Sequence, residues 1–185
     1  MSQVCRILLQ AVPIQKIIVP LRHVGAALAM EADESNTLYY KRSHFVTRLP
    51  LSYLYSPSHY WLSEQNGTWR VGLTKFATRM LGEMVDYGFE CAPDSPVQPG
   101  QAIGWIEGFK AVSDLFCVVD GRFGRANPEL SQNPELVDQD CYGRGWLYEA
   151  QGKAVAQCLD VKGYAGLLDS TIDKLVENNR SPSKE

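Results

Sequence analysis

Ile103-Gly-Trp-Ile-Glu-Gly-Phe-Lys-Ala-Val-Ser-Asp-Leu-Phe-Cys-Val-Val-Asp-Gly121 is the stretch whose reading decides the fold. Its β-branched and aromatic residues fall into two runs, 103–109 and 115–119, which predicts two short strands back to back. Asp120-Gly121 carries a tight-turn signal. Between the runs lies segment 110–114, so Lys110 stands where the chain turns back. A turn is the most exposed place a small β domain offers, and an ammonium there costs nothing in burial. A lysine in such a place is usually just solvated. Its neighbours decide whether this one does more.

The chain around the hairpin reads as more strands. Residues 84–90 alternate, with Val85, Tyr87 and Phe89 on one face, and the prolines of 93–100 make a rigid connection. Upstream, Gln65-Asn-Gly67 predicts a hairpin turn between 59–63 and 68–73, with Trp69, Val71 and Leu73 sharing a face. Thr74 is a good N-cap, Phe76, Ala77, Met80 and Leu81 form a helical stripe, and Gly82 ends it. Residues 38–54 predict one or two strands leading in. Downstream, Asn127 and Asn133 each open an Asn-Pro-Glu-Leu, a cap followed by proline at the first helical position. Residues 146–150 supply a closing strand, and 151–160 connect it to an amphipathic helix over 161–179. The apolar stripe of that helix is Tyr164, Leu167, Leu168, Ile172, Leu175 and Val176.

Glu107, three residues before Lys110, and Gly121, eleven after it, match the spacing around the modified lysine of lipoyl-bearing carriers. The wider wording, Glu-x-x-Lys-Ala-x-Ser-Asp-Leu with Gly121 and Asn127 following, resembles the H protein of the glycine cleavage system. Three further blocks agree in order: Tyr55-Ser-Pro-Ser-His-x-Trp61, Val71-Gly-Leu-Thr74 with Leu81-Gly82, and Asn133-Pro-Glu-Leu-Val137 with Tyr142-Gly-x-Gly-Trp-Leu147. The match runs from about residue 52 to about 150, and several ordered blocks are far more specific than one short motif.

The resemblance implies a mainly β fold, a sandwich of two antiparallel sheets with a short internal helix and a C-terminal helix. It implies lipoate attached covalently to Lys110, with Glu107 and Gly121 serving recognition by the lipoyl-attaching enzyme. It implies a non-catalytic shuttle that takes an aminomethyl group from glycine decarboxylase (P protein) to the aminomethyltransferase (T protein). Dihydrolipoamide dehydrogenase (L protein) then reoxidises the arm. Ser58 and Asp114 match positions that shelter the loaded arm; Asp114 reads equally as a turn-capping carboxylate, Ser58 beside Pro57 reads first as a turn residue, and Glu107 has the alternative of a plain strand-end charge. Gly121 reads equally as a hairpin glycine. Physical logic suits a carrier: an amide removes the ammonium charge, so the arm enters a partner without the cost of burying a cation. The cofactor and partners supply the chemistry, while the protein supplies placement.

The departures from the family pattern are specific. The usual His-Glu-Trp is His59-Tyr60-Trp61 here, so a carboxylate that would pair with the amine is replaced by a phenol. The usual Ser-Val-Lys is Gly108-Phe109-Lys110, and Ser-Pro-Val-Ser-Gly is Cys117-Val-Val-Asp-Gly121. Two alternatives follow: a lipoyl donor, relay or redox carrier for another pathway, or an unmodified interaction module.

Composition narrows the classes. A net charge of −3 over 185 residues shows no nucleic-acid footprint. The five cysteines are odd in number and without C-x-x-C spacing, which favours a reducing compartment over a disulfide or zinc framework. His23, His44 and His59 lie far apart. No apolar run approaches the roughly eighteen residues that cross a bilayer. Residues 1–36 read as a weakly ordered leader and linker, either a misassigned start before Met30 or a transit segment. The expected location is cytoplasmic, or the mitochondrial matrix if 1–30 is a transit segment. The carrier domain is expected over 37–150, a C-terminal helical extension over 151–180 and a tail over 181–185.

Overall fold

The structure, a computed structural model, describes residues 36–180. The expectations for the leader and for the tail 181–185 fall outside the described residues. In chain order the elements are β1 (Thr37–Arg42), β2 (Phe45–Pro50), β3 (Leu54–Tyr55), β4 (Tyr60–Gln65), β5 (Thr68–Leu73), α1 (Lys75–Leu81) and β6 (Met84–Phe89). Then come β7 (Pro96–Val97), β8 (Ala102–Gly108), β9 (Ala111–Phe116), β10 (Val119–Ala126), α2 (Leu136–Gln139), β11 (Tyr148–Ala154) and α3 (Val161–Arg180).

Two antiparallel sheets face each other, as the resemblance implied. One has six strands in the order β3-β4-β5-β11-β10-β7, the other three in the order β6-β8-β9. Ile103, Ile106 and Leu115 from the smaller sheet meet Leu62, Val71, Val119, Phe123 and Ala150 from the larger. Each fully buried Leu or Ile of this kind contributes ~1.5–3 kcal/mol. The Asn66-Gly67 turn between β4 and β5 takes positive φ at both residues, 53° and 79°, as a two-residue hairpin loop requires.

Of the stretch 38–54, where one or two strands were expected, β1 and β2 form a third sheet, a hairpin, while Leu54 already belongs to β3 of the larger sheet. The inner face of the hairpin (Tyr40, Phe45, Leu49) packs on Tyr55, Trp61, Phe76 and Trp146, and on Tyr164, Leu168 and Ile172 of α3. Tyr40 donates its hydroxyl proton to Asp169 of α3 at 2.9 Å, and Arg42 forms a forked pair with Asp173. That pair is exposed, so the apolar contacts carry the stability. The helix stripe holds except for Leu175, which is exposed.

Several expectations are corrected. The hairpin turn is shorter than segment 110–114: β8 runs to Gly108, β9 starts at Ala111, and Asp114 lies in a strand opposite Trp105. Asp120-Gly121 is not a turn but part of β10, with Gly121 facing Gly152 of β11 and Val97 of β7. Cys117-Val118 makes the crossing between sheets instead. Val85 is exposed while Tyr87 and Phe89 pack on the core, because a bulge falls between Met84 and Asp86. Met80 is exposed, and Phe76, Thr78 and Leu81 bury α1. Asn127 caps its helical turn through Glu129 N–H, but α2 has no side-chain cap and Asn133 offers Leu136 its backbone carbonyl. The closing strand runs on to Ala154.

Candidate functional site

Lys110 is the second residue of a two-residue turn, closed by the pairing of Gly108 with Ala111. Neither Phe109 nor Lys110 has positive φ, so the turn lacks the hand that matches strand twist unaided. It is held from outside: Phe109 N–H donates to Glu83 O at 2.8 Å and Lys110 N–H to Leu81 O at 3.0 Å. Gly82, with φ of 82°, makes room for the lysine stem; a Cβ there would lie 3.0 Å from Lys110 Cγ. The Nζ atom is exposed and donates to the Arg79 carbonyl at 3.5 Å. Among the described residues no carboxylate forms an ion pair with it. An exposed, unpaired amine on an anchored turn fits a group joined through an amide.

Glu107 is exposed on β8, in register with Asp86 of β6 and Val112 of β9. Asp114 is exposed on the same hairpin, and its charge reaches the Tyr60 phenol. Ser58 is exposed, two residues before Tyr60, with its hydroxyl 3.0 Å from that of Ser56. Lys110, Glu107 and Asp114 therefore share one hairpin, with Ser58 on the loop that enters the opposite sheet. Gly121 stands apart from them in the larger sheet, where a Cβ would fall 1.9 Å from Gln151 O. Its requirement is close strand approach, which the turn reading missed.

Tyr60, the phenol that stands where the family pattern has a carboxylate, is committed elsewhere in the fold. Its ring is buried and its hydroxyl accepts a hydrogen bond from Phe116 N–H at 3.1 Å. Burial holds the phenol above its ordinary range, and the Phe116 amide works the other way. Tyr148 of β11 accepts from Val118 N–H at 3.1 Å and donates to Phe116 O at 3.4 Å. Two tyrosines of the larger sheet thus satisfy backbone groups at the end of β9 and in the crossing that follows it. Tyr60→Phe is expected to cost ~1–3 kcal/mol, because it strands the Phe116 N–H. Faster amide exchange at Phe116 with denaturant unfolding checks it; unchanged stability would mean that the hydroxyl has another role.

His59 enters the same loop in the left-handed region, with φ of 65°. Its Nδ1 lies 2.9 Å from the Tyr164 hydroxyl, which is 2.8 Å from Thr74 Oγ1, the cap of α1. Every atom is satisfied when Thr74 donates to Tyr164 and Tyr164 to an unprotonated Nδ1. Burial against Phe76 and Tyr164 lowers the His59 pKa below its ordinary 6.5. The unfolded chain then binds the proton first, so this stability is complete above 6.5 and declines as pH falls through the folded value. His59→Asn, which tolerates that backbone, is expected to flatten the decline just below pH 6.5 in a series of denaturation curves. An unaltered pH profile would refute it.

The described residues thus form a β sandwich with Lys110 exposed at an anchored hairpin tip. A family model described as Glycine cleavage H-protein matches residues 53–166. The glycine cleavage system H protein of Corynebacterium jeikeium is 35% identical over 125 residues, covering 64% of this chain and 96% of that protein. That of an Enterobacter species is 37% identical over 131 residues, covering 68% and 99%. A crystal structure of a glycine cleavage system H protein from Mycobacterium marinum matches with a TM-score of 0.58 and 31% identity, over 64% of this chain and 97% of that one. The chain belongs to the glycine cleavage H-protein family.

It is accordingly a non-catalytic carrier of the glycine cleavage system, with lipoate held on a lysine. Its partners are the P, T and L proteins and the enzyme that attaches lipoate. The β1–β2 hairpin and most of α3 lie outside the matched residues. Among the described residues no helix is long and apolar enough to cross a membrane.

Proposed function

We propose that Lys110 is the lysine that carries the lipoyl group, and that its hairpin presents the arm to each partner in turn. The observation that carries this is the amine at the tip of an externally anchored turn, exposed and without a carboxylate partner among the described residues. When bound, the lipoyl group supplies a sulfur-bearing arm that accepts and passes on an aminomethyl group. Gly82 leaves room for the stem, and Leu81 and Glu83 fix the turn, so the direction in which the arm leaves is set by backbone.

Glu107 is the exposed charge that the lipoyl-attaching enzyme reads, three residues before its target. Gly121 acts on that step indirectly, by allowing the sheet that supports the hairpin to close. Asp114 supplies the carboxylate that shelters a protonated amine on the loaded arm, and Ser58 adds a hydroxyl from the facing loop. Tyr60 takes no part in that shelter, since its hydroxyl is committed to Phe116. Residues 37–180 fold together, because β1–β2 and α3 pack with Tyr55, Trp61, Phe76 and Trp146 of the carrier domain in a second apolar core, separate from the one between the two sheets. A reducing, cytoplasmic setting suits the free thiols of Cys91, Cys117, Cys141 and Cys158.

The test is glycine-dependent exchange of bicarbonate with the cognate decarboxylase and fully lipoylated protein. Exchange that saturates with carrier supports the reading; none, with intact lipoylation, removes it.

A further inference from the structure

We propose that Tyr164 of α3 is a positioning residue for the Lys110 turn: its hydroxyl joins His59 to the N-cap of α1, and α1 carries that link to the backbone that holds the lysine. The inference rests on Lys110 as the arm-bearing residue and adds what keeps its turn in place.

The Lys110 turn does not hold itself, and neither does the helix that anchors it. Helix α1 has seven residues, and a helix shorter than about twelve is marginal alone. Its position is set at its two ends. The C-terminal end delivers the Leu81 carbonyl, which accepts from Lys110 N–H at 3.0 Å, and the Gly82 over which the stem lies. At the N-terminal end Lys75 N–H donates to the Tyr142 hydroxyl at 3.1 Å, and Ala77 N–H to Thr74 Oγ1 at 3.4 Å. Thr74 is where α3 reaches that end. Its Oγ1 lies 2.8 Å from the Tyr164 hydroxyl, and its own N–H donates to His59 O at 3.0 Å. Tyr164 is buried and stacked on Tyr55, with ring centroids 4.7 Å apart, so its hydroxyl is fixed between His59 and Thr74.

This chain of polar groups has a direction. With Nδ1 unprotonated, Thr74 donates to Tyr164, Tyr164 donates to His59, and the Thr74 lone pairs are left for Ala77 N–H. A proton on Nδ1 makes His59 a donor. Tyr164 must then donate to Thr74 Oγ1, whose own proton loses its partner and whose lone pairs are divided between Tyr164 and the cap bond. A buried hydroxyl left without a partner is costly, and the first turn of α1 is what can shift to relieve it. The Leu81 carbonyl moves with the helix. The groups that face the His59 ring are Phe76 from α1 and Tyr164 from α3, and no carboxylate or cation contributes to its titration. The C-terminal helix thus bears on the arm without touching the lysine.

The test is nuclear magnetic resonance on the unlipoylated full chain. In wild type the Phe109 and Lys110 amide signals should follow the His59 ring through its titration below pH 6.5. In Tyr164→Phe, which keeps the ring and its stack on Tyr55, they should not. The carboxylates of Glu83 and Glu107 beside the turn are common to both proteins, so the difference isolates His59. At pH 7, amide exchange at Lys110 is read against the Leu147 amide, which donates to Val71 O in the inter-sheet core. That ratio should rise about threefold to tenfold in Tyr164→Phe, as loss of one hydrogen bond gives in a locally opening segment. Ile172→Ala loosens the packing of α3 without touching the three polar groups and should stay within about twofold of wild type. Turn signals that ignore the His59 titration in wild type, or a Tyr164→Phe ratio within about twofold of wild type, overturn the proposal. So does an Ile172→Ala ratio as high as that of Tyr164→Phe, which would assign the effect to α3 packing as a whole. Intact mass of the lipoylated chain tests Lys110 separately: a failure there removes the arm assignment, and a failed titration removes only the coupling.

Discussion

Lys110→Arg is expected to fold as the parent chain does, to remain unlipoylated, and to support no more bicarbonate exchange than an assay without carrier. Arginine keeps the positive charge and a stem that can lie over Gly82 within reach of the Arg79 carbonyl. What it loses is an amine that can be acylated, because a guanidinium stays protonated and delocalised at any physiological pH. The variant therefore separates chemistry from stability. Thermal unfolding should coincide with wild type, while the intact mass lacks the lipoyl increment. A variant that unfolds early would show that the lysine stem supports the turn. A variant that keeps exchange activity would show that another lysine bears the arm.

Gly121→Ala is expected to destabilise the sandwich by about 3–5 kcal/mol, the range reserved for steric faults that cannot relax. The added Cβ would meet Gln151 O at 1.9 Å and Gly152 Cα at 2.8 Å, both backbone atoms of a central strand pair. Gly152 is constrained in return, with φ of 136° and a Cβ position 2.1 Å from Asp120 O. Neither strand can withdraw without breaking ladder bonds. In a domain of this size the loss corresponds to a fall in Tm of roughly 10 °C or more. Gly67→Ala is the comparison: its φ is 79°, but nothing lies within 4 Å of the added Cβ. It should cost only about 1 kcal/mol, from backbone conformation alone. Equal losses for the two variants would contradict the close-approach account of Gly121. A Gly121→Ala protein with wild-type stability and no lipoylation would assign the glycine to recognition.

The sequence showed the lysine hairpin because its signals are local. Alternating apolar residues write strands, a glycine-bearing pair writes the Asn66-Gly67 turn, and Thr74 writes a helix start that the structure bears out through Ala77 N–H. Contacts between distant segments left no such trace. The pairing of Gly121 with Gly152 joins residues in different strands, so the Asp-Gly dipeptide looked like a turn when its glycine is needed for close packing. Tyr60 was legible only as a phenol in place of a carboxylate; that its hydroxyl accepts from Phe116 N–H, across the sandwich, is a property of the fold. The bulge at Val85 shifts one residue of an otherwise regular alternation, and nothing in its residue types announces it. The turn at Phe109-Lys110 was read as longer because its geometry is imposed from outside, by Leu81 and Glu83.

Phe109 itself was legible as a departure from the family pattern, whereas the exposure of Met80, on the helical stripe of α1, and of Val85, on one face with Tyr87 and Phe89, was not. The β1–β2 hairpin and α3 likewise read as separate additions, and their shared core around Tyr55, Trp61 and Tyr164 is a property of the fold alone.

Peptide mapping of the chain purified from lipoate-replete cells is the most direct measurement. The account predicts the lipoyl increment on the peptide that contains Lys110 and on no other. A bare Lys110, in cells whose other lipoyl proteins are fully modified, would contradict it.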